Sequence, residues 1–69
     1  MATYYEVMSS SGAERLSTLP PNWQKALEEA RCRWPDYDTD PELLLYEVDW
    51  DNRRQRPIWP EGPGAWSAF

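Results

Sequence analysis

The clearest hydrophobic rhythm in the chain runs from Trp23 to Trp34. Apolar residues fall at Trp23, Leu27, Ala30 and Trp34, a spacing that lays one stripe along one face of an α-helix. The spacing predicts a helix over 18–34. Ser17 or Thr18 caps it, and Pro20 and Pro21 occupy the first turn, where backbone N–H groups lack partners anyway. Arg31 and Arg33 suit the negative end of the helix dipole, and Pro35 stops the helix by disfavouring helical geometry at Trp34.

The second rhythm has a period of two. From Leu44 the even positions are Leu44, Tyr46, Val48 and Trp50, and the odd ones are Leu45, Glu47, Asp49 and Asp51. This alternation predicts a strand with an apolar face turned to the core and an acidic face turned to solvent. Asp51-Asn52 turns the chain, and Arg53 to Trp59 returns as a hairpin partner, with Pro57 restricting it to a short or edge strand. In that hairpin Arg53, Arg54 or Arg56 lies opposite Glu47 and Asp49. Thr3 to Met8 is rich in β-formers and reads as a first strand, ended by a polar loop at Ser9–Gly12. The expected fold is α+β, a two-layer β-α-β-β arrangement with one helix on a small, mainly antiparallel sheet. The expected core joins Tyr5, Val7, the helix stripe and the even face of the second strand.

Composition adds size limits to this picture. The 69 residues include five Trp, four Tyr and one Phe, enough aromatic area to build a core in a chain near the lower size limit for one. Residues 1–60 read as one compact domain and 61–69 as a Pro/Gly-rich tail. Trp66 and Phe69 in that tail either fold back or form a hook for a partner. Cys32 is the single cysteine, so no internal disulfide forms, which suits a reducing, cytoplasmic setting. No apolar run approaches the roughly 20 residues of a membrane-spanning helix. With no His, no Gly-rich phosphate loop and no base beside Ser9, Ser10 or Ser11, the chain reads as non-enzymatic and without a cofactor.

Charge changes the picture most. The net charge is −5, yet residues 1–35 sum to zero and residues 52–69 to +2. Asp36, Asp38, Asp40, Glu42, Glu47, Asp49 and Asp51 carry the whole excess, with no basic residue among them. Counting Asp36 as first, Asp38, Asp40 and Glu47 fall at positions three, five and twelve, which resembles the ligand set of an EF-hand calcium loop. The pattern departs from that family at position six, where Pro41 replaces the hinge glycine, and in the strand that follows where a helix belongs. No metal is expected. Two readings of the acids stay open: a solvated face, or a surface addressed to a basic partner.

A chain of this length with local acidity, a β-α-β-β order and no catalytic residues resembles the small inhibitors of phages and mobile elements, anti-CRISPR proteins among them. The resemblance implies a stoichiometric inhibitor that presents a negatively charged, DNA-mimicking face to the nucleic-acid-binding surface of a type I CRISPR surveillance complex. The expected contact residues are the seven acids above together with Tyr37. The implied protein is a monomer in the bacterial cytoplasm that binds neither nucleic acid nor membrane directly. The alternative is an adaptor or structural protein docking through the aromatic residues of the tail, with the acids merely solvated.

Overall fold

The computed structural model describes residues 3–69. In chain order these form β1 (Thr3–Ser9), β2 (Gly12–Arg15), α1 (Trp23–Arg33), β3 (Leu44–Asp49), β4 (Arg54–Trp59), β5 (Gly62–Pro63) and β6 (Ser67–Ala68). The strands make one antiparallel sheet in the order β2-β1-β3-β4-β5, and β6 also pairs with β4. One helix lies on one face of this sheet, so the fold is the expected α+β class. The sheet is wider than the three strands anticipated.

Ser9–Gly12 does more than end β1. Ser10 and Ser11 form a two-residue hairpin closed by the Ser9–Gly12 pair, and Gly12 has φ +128°, a region that suits glycine because it has no Cβ. At the other side of the sheet, the Pro/Gly-rich segment 61–69 runs back along β4. Pro57 faces this returning chain: its carbonyl accepts the Gly64 N–H at 2.7 Å, while its ring nitrogen has no hydrogen to donate. Pairing therefore lapses between β5 and β6. A side chain at Gly64 would meet the Pro57 ring at 3.0 Å, so the close approach needs glycine. β4 is thus an interior strand, not an edge, and tolerates its proline because the proline faces the gap.

The helix is shorter than its pattern. Asn22, not Ser17 or Thr18, is the N-cap, and its side chain accepts the Lys25 N–H at 2.9 Å. Pro20 and Pro21 therefore precede the helix. Ala26, Leu27 and Ala30 are buried, and Trp23 and Trp34 pack partly exposed at the two ends of the stripe. The small Ala26 and Ala30 sit one turn apart, which lets the helix lie close to the sheet.

The faces of β3 are the reverse of the expectation. Leu45 is fully buried in the cluster under the helix with Tyr5, Val7, Leu16 and Ile58. Its register neighbours follow the pleat, so Glu47 and Asp49 also lie on the helix side. Leu44, Tyr46 and Val48 line the opposite face, which no helix covers; Val48 is buried there among its neighbours. Trp50 lies beyond the strand end and is 48% exposed. The period of two was sound; the sidedness turned on whether Glu47 could be satisfied inside.

Candidate functional site

Glu47 is satisfied. It is buried to 8% exposure, accepts the Tyr5 hydroxyl at 2.8 Å and pairs with Arg56 Nε. The register that sets Glu47 opposite Arg56 sets Asp49 opposite Arg54. Arg54 Nε reaches Asp49 at 3.0 Å, and Asn52 in the hairpin turn donates to the same carboxylate at 2.8 Å. Trp66, carried back by the chain between β5 and β6, lies 4.2 Å from the Arg54 guanidinium and 4.4 Å from that of Arg56. The indole thus covers two ion pairs, each cation–π contact contributing about 0.5–1 kcal/mol.

The electrostatics agree with the contacts. Burial, reinforced by the hydrogen bond to Glu47, pushes the Tyr5 hydroxyl well above the usual tyrosine range. The Asn52 hydrogen bond, followed by that of Arg54, holds the Asp49 carboxyl below the usual carboxylate range. Glu47 and Asp49 have the cross-hairpin arginines expected of them, but on the helix side of the sheet and not on the solvent face expected from the alternation.

The loop from Pro35 to Leu43 is built differently. Successive turns fold it: the Asp36 carbonyl accepts the N–H groups of Thr39 at 3.0 Å and Asp40 at 2.8 Å, and the Asp40 side chain accepts the Glu42 N–H at 2.9 Å. Two side chains anchor it to the sheet. Tyr37, expected at the surface beside the acids, is only 5% exposed, and its hydroxyl donates to the Ile58 carbonyl. An aromatic ring of this size repays burial, and the carbonyl satisfies its polar tip. Asp38 receives a fork from Arg31, with contacts of 3.0, 3.1 and 3.2 Å, while the same guanidinium donates to the Pro60 carbonyl.

Asp36, Asp40 and Glu42 remain. None of the three has a cationic partner among the described residues. Asp36 and Glu42 are exposed and Asp40 half-buried. Asp51 sits in the turn between β3 and β4. The seven acids of the sequence are therefore not one face. Two lie on the helix side of the sheet, one is in the β3–β4 turn, and four are in a loop at the opposite end of β3. Among the described residues, no group of three or more carboxylates, thiols or imidazoles is gathered as a metal site.

Sequence reasoning missed two contributors. Arg31 had been assigned only to the helix dipole, although its position on the last turn, a short loop away from Asp38, was the available signal. Trp59, at the end of β4, is 53% exposed and borders the loop along a cleft with Tyr37, Asp40, Pro41, Leu43 and Pro60. Nothing in its strand context distinguished it.

No helix among the described residues is long and apolar enough to cross a membrane. Fold and site together define a class: a small α+β domain with a pinned acidic loop at one end of its sheet. Comparison with known proteins finds no family model, no curated protein and no solved structure that matches the chain.

Proposed function

We propose that this protein is a non-enzymatic binding protein whose acidic loop engages a basic protein surface, and that it acts as an inhibitor of the anti-CRISPR type. In this reading the loop occupies the nucleic-acid-binding surface of a type I surveillance complex in the bacterial cytoplasm. The observation that carries the reading is the contrast within the acidic stretch. Glu47 and Asp49 each have an arginine, whereas Asp36, Asp40 and Glu42 have no cation among the described residues and are held on a loop pinned by Tyr37. A pinned loop presents its charges at little ordering cost on binding, and unpaired carboxylates attract a Lys/Arg-lined groove.

A second reading has its own observation. Trp50 and Phe69 stack 5.5 Å apart, each about half exposed, and such a pair is a docking hook for an apolar partner.

The test is retention of target DNA by a purified type I surveillance complex in a gel-shift assay, with this protein added in stoichiometric amounts. The proposal expects DNA to be displaced, and less so as salt rises, because exposed charges are screened within about 10 Å at 0.1 M. DNA retained at a large excess of protein would overturn it. Inhibition abolished by replacing Trp50 and Phe69 with alanine, but not by neutralising the loop, would favour the second reading.

A further inference from the structure

The cleft between the acidic loop and the end of β4 has a volume of about 160 Å³ and lies among Asp38, Asp40, Pro41, Leu43, Trp59 and Pro60. That is well below the roughly 300–1,000 Å³ of a small-molecule site, and it suits one long side chain. Its walls are apolar where Pro41, Leu43 and Pro60 stand, aromatic at Trp59, and anionic at Asp38 and Asp40.

We propose that this cleft receives a lysine or arginine side chain projecting from the basic partner. The inference rests on the proposed function and deepens it by naming where the partner is gripped. A long cationic side chain has an aliphatic stem and a charged head. The proline and leucine walls take the stem, Trp59 offers a ring for a cation–π contact, and Asp40, which has no ion-pair partner among the described residues, takes the head. Charge complementarity extends beyond the lining. Asp38, Asp40, Glu42 and Glu61 lie in or beside the residues that form the cleft, against Arg31 and against Arg33, which shares a neighbouring hollow with Asp40 and Leu43. Arg31 shows the chemistry at work in this corner: its guanidinium is held between the Asp38 carboxylate and the Pro60 carbonyl. The side chain from the partner repeats that arrangement from the solvent side.

The experiment is an NMR titration of the isotope-labelled protein with an arginine–glycine repeat peptide and its lysine and glutamate counterparts. The readouts are the Trp59 indole N–H and the backbone amides of Thr39 and Leu43. The expected result is saturable shifts at these groups with the arginine and lysine peptides and none with the glutamate peptide. Trp59→Ala and Asp40→Asn should each weaken binding about fivefold or more. Both variants are chosen to keep the fold, since Trp59 is half exposed and asparagine keeps the oxygen that accepts the Glu42 N–H. Binding of basic peptides that spares Trp59 and is unchanged in Trp59→Ala would overturn the cleft while leaving the basic-partner reading intact. Shifts at Trp59 that arise only on concentrating the protein would make a second copy the occupant and overturn the proposal. No response to either basic peptide would sink both the cleft and the reading it rests on.

Discussion

The two halves of the acidic stretch have similar composition and opposite circumstances. In the strand half, hairpin register delivers an arginine to Glu47 and another to Asp49, and Trp66 lies over the two guanidinium groups. In the loop half, one aspartate is paired, one tyrosine pins the backbone, and three acids have no cation among the described residues. Equal charge density along a sequence therefore says little about where the field points. What decides is whether the fold brings a cation across, and a hairpin does so by geometry where a loop does not.

The largest effect should come from Glu47→Ala. It leaves Arg56 without its carboxylate and the Tyr5 hydroxyl without its acceptor, both on the helix side of the sheet. Loss of about 2–4 kcal/mol is expected, the value for breaking a buried pair reduced because Arg56 keeps some contact with solvent. Urea unfolding measures it, and a loss below about 1 kcal/mol would erase the distinction between the halves. Trp66→Ala should cost about 1–3 kcal/mol, from two cation–π contacts and the area the indole buries. The same substitution tests whether the returning chain is a structural edge: if stability is unchanged, Trp66 covers nothing of consequence.

Titration gives a subtler contrast. Burial raises the pKa of Tyr5 and of Tyr37, so the folded chain holds both phenolic protons more tightly than the unfolded one. Their contribution is complete below the unfolded tyrosine value of about 10 and is lost as pH rises through the folded values. Stability should therefore fall above about pH 10, and Tyr37→Phe should flatten that fall. At the acid end, Asp49 has a lowered pKa. Its contribution is present above the unfolded aspartate value of about 4 and is lost as pH falls through the folded one. Unfolding curves across pH 2–5 should lose part of their slope in Asp49→Asn; an unaltered slope would separate that pair from the fold. The smallest effect on stability belongs to the loop. Asp36→Asn, Asp40→Asn and Glu42→Gln combined should change stability by no more than about 0.5 kcal/mol, because Asp36 and Glu42 are exposed and asparagine at 40 keeps the oxygen that accepts the Glu42 N–H.

Much of the fold was legible because its signals are local. The helix stripe, the period of two and the hairpin with arginines opposite Glu47 and Asp49 each depend on spacing within a dozen residues. The sidedness of β3 was not legible, because apolar-inward patterning assigns Glu47 to solvent unless its long-range bond to Tyr5 is known. β2 escaped notice because Gly12-Ala-Glu-Arg15 carries no strand-forming residue and is exposed throughout. β5 and β6 hid in a segment whose prolines and glycines read as a loose end, and Pro57, expected to restrict β4 to a short or edge strand, lies instead at the gap between two further pairings. Of the site, the loop acids were found, but Tyr37 was misplaced: a tyrosine among carboxylates looks solvated until the carbonyl of Ile58 is seen behind it.

The most direct test of the central claim places stability and binding side by side in the loop variant carrying all three neutralised acids. Thermal unfolding and displacement of DNA from a type I surveillance complex would be measured on the same preparation as the unsubstituted protein. The expected result is a Tm within about 2–4 °C of the original and displacement weakened at least about tenfold, the loss of about 1.4 kcal/mol of charge attraction. A variant that unfolds far earlier, or one that displaces DNA as well as the original, would contradict the division of the acidic stretch into charges for the fold and charges for a partner.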